Sequence, residues 1–147
     1  YKDPEATAET KTPDGWMHTG DAAFIDDEGF VYITDRVKDM IITGAENVYS
    51  IEVENAIYRH PQVLECAVIG IPHDTWGEQV HAIVRLADGA SVEAEEIIEH
   101  CHGLIAGFKS PKSVDFVTEP LPLSGANKIL KAELRKPFWE GREKRVN

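Results

Sequence analysis

The sequence has little of several features that would assign it to a particular class of protein. Only two cysteines occur, Cys66 and Cys101, and they stand far apart without the spacing of metal ligands. We therefore expect both to be small apolar residues facing a core. No apolar run approaches the roughly 20 residues that a membrane-spanning helix needs, and no signal peptide opens the chain. These absences favour a cytoplasmic protein without a transmembrane segment.

Positive charge is also scarce. The chain has 15 lysines and arginines against 26 acidic residues, a formal net charge of −11 that argues against nucleic acid as a partner. Residues 128–147 reverse this balance, with seven basic side chains against three acidic ones. This segment either meets an anionic ligand or forms a solvated terminal helix crossed by ion pairs.

The composition that remains is that of a globular protein about one domain long. Hydrophobic residues make up 42% and charged residues 28% of the 147 positions, and no repeat or low-complexity segment occurs. The first residues, Tyr1 to Pro4, include no initiator Met. We expect the sequence to be a segment of a longer protein.

Short helical and extended segments alternate along the chain. The expected elements are a loop over 4–15, a hairpin around Asp26–Gly29, a helix capped by Ser50 and ended by Pro61, a buried strand over 63–71, a half-buried strand over 80–86, a helix opened by Ser91, a strand over 113–117 and a short helix over 129–135. This order predicts an α+β fold, a small three-stranded sheet flanked by helices and preceded by a β-hairpin. We place a domain boundary at residues 36–38. Residues 1–37 are then the end of another domain, and 38–147 form the second domain.

Two loops carry residues suited to binding phosphate and ribose. The segment 121–128 is small and turn-forming and ends in Lys128, a compact charge on a long stem that suits a phosphate or carboxylate oxygen. It lacks the spacing of a P-loop, and an ordinary surface loop remains the alternative. Asp21 ends the tight turn Thr19-Gly20-Asp21, where its carboxylate either accepts hydrogen bonds from a diol such as ribose or bonds its own backbone. Arg36 follows Asp35, which offers it a simple ion pair.

The six histidines form no recognisable site. The sequence contains neither an H-E-x-x-H motif nor a Cys/His pairing, and His100 and His102 stand two apart on a predicted helix, where they do not share a face. We expect neither a metal site nor a nucleophilic triad.

Four stretches in order, residues 16–21, 35–54, 70–78 and 122–135, resemble the signatures of one superfamily. The chain resembles the C-terminal part of the acyl-CoA synthetases, peptide-synthetase adenylation domains and luciferases. The resemblance implies an enzyme that joins a carboxylic acid to ATP, giving an acyl-adenylate and pyrophosphate. Its C-terminal domain then rotates, and a thiol, here that of CoA, displaces AMP.

The resemblance also implies a role for individual residues. Lys128 matches the catalytic lysine beside the α-phosphate and the acyl carboxylate. Asp21 matches the carboxylate that holds the ribose hydroxyls, and Arg36 matches the arginine at the ribose and phosphate. Lys38 matches the hinge at which the domain rotates. The turn Gly44-Ala45-Glu46 matches the loop that lines the tunnel of the CoA pantetheine arm.

Three positions depart from the family pattern. Ala45 stands where the family usually has Gly, which could narrow the tunnel by one methyl group. Asn127 replaces the Gly before the catalytic lysine, and Ser50 replaces a common Pro. Because Asn tolerates the left-handed backbone better than most residues, we expect the Lys128 loop to keep its shape.

Segment 46–49 resembles acyl-CoA synthetases more than peptide-synthetase domains, and segment 137–143 looks like the end of fatty acyl-CoA synthetases. The resemblance therefore favours a fatty acid as substrate. The alternatives are an aryl-acid CoA ligase and an adenylation domain that loads a carrier protein. The sequence contains no phosphate loop, no Mg²⁺-binding Glu and no acyl pocket, which belong to the N-terminal domain of such enzymes. We therefore expect Mg²⁺ to be bound by that domain, the partner of this one. The 147 residues alone are then a non-catalytic lid or binding module.

Overall fold

The structure is a computed structural model that describes residues 2–142, and it divides into two compact units between Lys38 and Asp39. The division lies one residue beyond the boundary placed from the sequence. That the first unit is the end of a larger domain stays a prediction.

The first unit contains a short helix, α1 (Pro4–Thr10), and an antiparallel hairpin of β1 (Asp21–Ile25) and β2 (Val31–Arg36). The hairpin is the one expected, and the Asp26 carboxylate closes its turn by accepting the N–H groups of Glu28 and Phe30. The prediction of a loop over 4–15 was wrong for α1. Asp3 caps this helix by accepting the Ala6 N–H at 3.0 Å, and Pro4 occupies the first turn, where its missing N–H costs nothing.

The hairpin leaves much apolar side chain exposed. Ile33 is 70% and Ile25 69% exposed, and Phe24 stacks on Tyr32 with ring centroids 4.9 Å apart at the surface. A two-stranded sheet is marginally stable by itself in water. Packing of another protein surface against these exposed apolar side chains would therefore stabilise the first unit.

The second unit follows a 3₁₀ turn at Val37–Asp39. Its elements are β3 (Ile41–Thr43), β4 (Glu46–Val48), α2 (Ser50–Ile57), β5 (Val63–His73), β6 (Gly77–Leu86), α3 (Ala94–His102), β7 (Ser113–Val117) and α4 (Lys131–Trp139). The α+β class and the order of the longer elements are confirmed.

The sheet has five strands where the sequence predicted three. Strand β6 is central, with β5 antiparallel on one side and β7 parallel on the other. The additional strands, β3 and β4, form a hairpin that joins the start of β6 through Thr43 and Gly77. Each is only three residues long, too short to show the alternation by which strands are recognised.

Two hydrophobic clusters cover the two faces of the sheet. On one face, α2 and α3 pack against β5 and β6, and both cysteines lie buried there as expected. On the other face, Leu134 and Phe138 of α4 pack on Ala67, Ile69 and Ile83. Strand β6 is therefore buried on both faces rather than half-buried, because α4 covers the face expected to meet solvent.

Three helix boundaries differ from those predicted. Ser50 is the first residue of α2 and fully buried, and the cap position falls on Tyr49. Helix α3 begins at Ala94 instead of near Ser91, because Val92 is held in the core and the chain stays extended through Glu93. Helix α4 begins later than expected because Ile129 forms a β-bridge with Leu123.

Candidate functional site

The two residues predicted to bind the nucleotide meet at the open end of the first unit's hairpin. Asp21 and Arg36 are register partners, and Arg36 Nε lies 2.8 Å from Asp21 Oδ1. The guanidinium therefore turns to Asp21, whereas Asp35 Oδ1 accepts the backbone N–H of Arg36 at 2.7 Å. The side chains are 23% (Asp21) and 49% (Arg36) exposed, so both polar ends are open to a ligand.

The turn before Asp21 is closed by another side chain. Thr19 Oγ1 accepts the Asp21 N–H at 3.2 Å, and the Gly20 carbonyl accepts the Val37 N–H at 2.9 Å. The Asp21 carboxylate is thus not used to close its own turn. A carboxylate has about four acceptor positions, so the bond to Arg36 leaves capacity for hydroxyl donors.

Lys128 lies in a tight turn between β7 and α4 in the second unit. Ser124 organises this turn: its Oγ accepts the N–H groups of Ala126 and Lys128, and its own N–H donates to the Lys128 carbonyl at 2.8 Å. Asn127 has a left-handed φ of +56°, as expected from its tolerance of that conformation. Asn127 therefore occupies a left-handed position in this turn.

The Lys128 side chain is exposed, and within residues 2–142 no carboxylate lies at ion-pair distance from its ammonium. Its backbone is fixed while its charge is available. A positive charge held in this way can stabilise negative charge that develops on a bound phosphate or carboxylate.

The other basic residues near the C-terminus are used differently. Lys131 Nζ lies 2.7 Å from Glu54 Oε1, and Arg135 Nη2 lies 3.4 Å from Asp39 Oδ1, each pair largely buried. Arg142 pairs with Asp74 at the surface, and Lys144 and Arg145 fall outside the described residues. The expected ion pairs therefore anchor α4, and Lys128 is set apart from them.

The predicted thiol-side turn joins β3 to β4. Gly44 and Ala45 both have left-handed φ values, +58° and +70°, and Glu46 is exposed as it opens β4. The Gly44 N–H donates to the Trp76 carbonyl at 3.1 Å. A left-handed conformation costs an L-residue such as Ala about 1–2 kcal/mol, so the turn holds Ala45 in a strained shape.

Glu78 holds the β3–β4 hairpin through a hydrogen bond to β3. It was not identified from the sequence as a supporting residue. It is 2% exposed, and its Oε2 accepts the Ile42 N–H at 3.0 Å. The alternation along β6 could have identified it. Glu78 is two and four residues before Val80 and Ala82, so its side chain lies on the same, core-facing side of the strand.

Lys131 and Arg135 were also missed as anchoring residues. Together with Leu134 and Phe138 they occupy positions i, i+3, i+4 and i+7 of α4, the spacing of the face that packs on the sheet. Their pairing with Glu54 and Asp39 depends on tertiary contacts that no local pattern shows.

The histidines do not form a metal site. His81 is buried, with Nδ1 2.8 Å from Ser113 Oγ and Nε2 3.5 Å from Asp115 Oδ2. Burial lowers the pKa of His81, and Asp115 partly opposes that effect. Across residues 2–142 there is no group of three His, Cys, Asp or Glu residues that could hold a metal ion.

The two cysteines are inert by environment. Burial raises the pKa of Cys66 to about 12 and that of Cys101 to about 11, so neither is a thiolate near neutral pH. None of the described helices is long and apolar enough to cross a bilayer.

Comparison with known proteins gives several CoA ligases among the similar sequences. Feruloyl-CoA synthase of an Amycolatopsis species is 50% identical over 135 residues, 92% of this chain and 27% of that protein. A long-chain-fatty-acid–CoA ligase of Mycobacterium tuberculosis is 48% identical, over 92% of this chain and 26% of its own length. The chain thus spans about a quarter of the curated relatives it matches.

Among solved structures, ATP-bound MatB from Rhodopseudomonas palustris matches with a TM-score of 0.85 and 39% identity, over 96% of this chain and 28% of that one. The sequence model of the family described as the AMP-binding enzyme C-terminal domain matches residues 52–128, just over half of the chain. This match begins in α2 and ends on Lys128. The chain therefore belongs to the AMP-binding enzyme C-terminal domain family, found in adenylate-forming CoA ligases.

Proposed function

We propose that this chain is the C-terminal part of an AMP-forming acid–thiol ligase that activates a fatty acid with ATP and transfers the acyl group to CoA. The observation that carries the proposal is Lys128. It ends the family match, its turn is fixed by Ser124, and its ammonium is exposed.

In the first half-reaction, a carboxylate oxygen of the acid attacks the α-phosphorus of ATP. A new P–O bond forms, the bond to the β-phosphate breaks, and pyrophosphate leaves. The Lys128 ammonium neutralises charge that accumulates on the α-phosphate oxygens and the attacking carboxylate. Asp21 accepts hydrogen bonds from the ribose hydroxyls, and Arg36 contacts the ribose and phosphate.

In the second half-reaction, the CoA thiolate attacks the carbonyl carbon of the acyl-adenylate. A C–S bond forms, the C–O bond to AMP breaks, and AMP leaves. We assign the turn Gly44-Ala45-Glu46 to the pantetheine path and Lys38 to the hinge. Support for the hinge is that Lys38 is the last residue of the first unit.

The acid class rests on similarity. The fatty-acid ligase of M. tuberculosis, 48% identical to this chain, supports a fatty acid. Feruloyl-CoA synthase, 50% identical, makes an aromatic acid the second candidate. We expect the residues that contact the acid's tail to lie outside the 147 residues of this chain.

The 147 residues alone are proposed to be catalytically silent. The chain matches only 26–28% of the relatives' length, and the exposed apolar face of the first hairpin fits a segment that packs against a larger domain. That domain is the partner we propose.

The test is product analysis with the complete enzyme, ATP and a panel of fatty and aromatic acids, with CoA or a phosphopantetheinyl carrier protein as acceptor. We expect AMP, pyrophosphate and acyl-CoA, with fatty acids preferred, and no turnover by the 147-residue chain. Formation of ADP, or no nucleotide cleavage with any acid, contradicts the proposal. A preference for aromatic acids would replace the fatty acid as the proposed substrate. A preference for the carrier protein would replace CoA as the proposed acceptor.

A further inference from the structure

Lys131, the first residue of α4, is held between two side chains of α2. Its Nζ lies 2.7 Å from Glu54 Oε1 and 2.7 Å from Ser50 Oγ. The Lys131 and Glu54 side chains are only 13% and 12% exposed, and Ser50 is fully buried. This is a short, charge-assisted contact in a poorly solvated position, where such bonds are strong and their geometry well defined.

The pair is built on the free edge of the sheet. Strand β5 is at the end of the strand order, and Glu54 Oε1 accepts the Val68 N–H of β5 at 2.8 Å. Glu54 thus satisfies a backbone donor that lacks a neighbouring strand, and Lys131 balances the charge this places in the interior. The contact joins α4 to α2, although the two helices pack on opposite faces of the sheet.

The position of Lys131 in its helix is unfavourable for a cation. A positive charge in the first turn opposes the helix dipole, which favours negative charge there. The interaction of Lys131 with the helix dipole therefore does not account for its position, whereas its contact with Glu54 does. Lys136, exposed later on the same helix, has no such contact among the described residues.

The fixed end of α4 is also the end of the Lys128 turn. Lys131 stands three residues after Lys128, and the Leu130 N–H donates to the Pro122 carbonyl at 2.8 Å. Ser124 fixes the interior of the turn, whereas Lys131 ties its exit to another helix through a buried ion pair. A shift of Lys131 away from Glu54 would move the backbone of Lys128 with it.

We propose that Lys131, held by Glu54 and Ser50, is a positioning residue that sets where the Lys128 ammonium stands in the adenylation step. The proposal rests on the proposed function. It also gives a purpose to Ser50, which stands where the resembling family commonly has Pro: its hydroxyl supplies the second contact to Lys131.

The test uses the complete enzyme with Lys131→Gln, the matched control Lys136→Gln and the conservative variant Lys131→Arg. Two half-reactions are measured separately: acid-dependent exchange of pyrophosphate into ATP, and thioester formation from acyl-adenylate supplied to the enzyme. Thermal melting of each variant is followed in parallel.

We expect Lys131→Gln to lower kcat for exchange by about ten- to a hundred-fold, since a misplacement of 1 Å costs up to about a hundred-fold in rate. KM for ATP and the thioester step should stay within about two-fold, because Lys128 acts only in adenylation. Lys131→Arg should recover most of the exchange rate, because its guanidinium donates to both Glu54 and Ser50. Lys136→Gln should match the wild type.

Two results would overturn the proposal. One is an unchanged exchange rate in Lys131→Gln when Lys128→Ala lowers it. The other is an equal fall of both half-reactions with a lower melting temperature, which assigns Lys131 a purely structural role. If Lys128→Ala itself exchanges normally, the proposed function fails instead, so the two failures are distinguishable.

Discussion

Replacing Gly70 by alanine should destabilise the second unit, and removing the Glu78 side chain should reduce that effect. An alanine Cβ at position 70 would lie 2.8 Å from Glu78 Oε2 and 3.2 Å from Ile41 Cγ2. Glu78 is 2% exposed and holds the Ile42 N–H, and Ile41 is fully buried. Neither neighbour can move without breaking a contact of the core.

The magnitude of the Gly70→Ala effect follows from two opposing contributions. Overpacking a core position costs about 1–3 kcal/mol. The reduced freedom of the unfolded chain returns about 0.4–1 kcal/mol when Gly becomes Ala. The Gly70→Ala variant should therefore lose about 1.3 kcal/mol of unfolding free energy at mid-range, and at most about 2.6 kcal/mol. Glu78→Ala should lose about 1–3 kcal/mol, because the partly buried Ile42 N–H loses its acceptor.

In the double variant the new methyl group enters space that Glu78 has left. The combined loss should then be smaller than the sum of the single losses by at least about 0.5 kcal/mol, as expected for residues in contact. Gly125→Ala is the control: nothing lies within 4 Å of the position that its added methyl group would take, and we expect no destabilisation.

Urea denaturation followed by tryptophan fluorescence measures these changes. A Trp16→Phe background leaves Trp76 and Trp139, both in the second unit. Trp139 is a local reporter because its indole N–H donates to the Gly70 carbonyl at 3.0 Å. Additive losses in the double variant, or a Gly70→Ala variant as stable as Gly125→Ala, would refute the argued contact between Gly70 and Glu78.

Three further predictions concern titration, thiol reactivity and the nucleotide pair. Because burial lowers the folded pKa of His81 below its ordinary 6.5, the unfolded chain binds the proton first. The stability that neutral His81 contributes is therefore present above pH 6.5 and is lost as the pH falls further. Urea denaturation at several pH values should show that the free energy of unfolding falls less steeply below pH 6.5 in His81→Gln than in the wild type. An equally steep fall in both proteins contradicts this. Cys66 and Cys101, with pKa values raised to about 12 and about 11, should react with a thiol reagent only after unfolding, and rapid labelling of the native protein would oppose their burial. Asp21→Asn should change stability by less than about 1 kcal/mol, because the pair with Arg36 is partly exposed, while weakening ATP binding in the complete enzyme by calorimetry; equal affinity would remove Asp21 from the ribose.

Much of the fold follows from periodicity in the sequence. The long strands β5 and β6 and the apolar stripe of α3 are recognisable because many residues repeat one pattern. The hairpin of β3 and β4 was missed because three-residue strands have no period to detect. The turn between these strands has a left-handed backbone at Gly44 and Ala45. Because Ala rarely adopts that conformation, the sequence does not predict it.

The site was predictable where one residue carries a chemical role. Lys128 and Asp21 stand in turns with distinctive composition, and Asn127 has the left-handed φ that it was expected to tolerate. Their proposed roles in catalysis and binding stay predictions. The pairing of Asp21 with Arg36 depends on hairpin register, which a bulge between Ala22 and Ala23 shifts by one residue.

The supporting residues were the hardest to predict. Lys131 belongs to a basic segment, and from composition alone its charge fits a solvated helix as well as a buried pair. Only the meeting of α4 with Glu54 at the edge of β5 decides between them. Such contacts join residues that are 77 positions apart in the sequence, from 54 to 131, and no local pattern encodes them.

The most direct test of the account is acid-dependent exchange of pyrophosphate into ATP by the complete enzyme carrying Lys128→Ala, beside Lys136→Ala. Lys136 is the matched control because it is an exposed lysine on the neighbouring helix. We predict that Lys128→Ala loses about a hundred-fold or more in exchange rate, as when a charge-stabilising donor is removed from a transition state. Lys136→Ala should exchange at the wild-type rate. Exchange by Lys128→Ala at the rate of its control would contradict the assignment of Lys128 to adenylation.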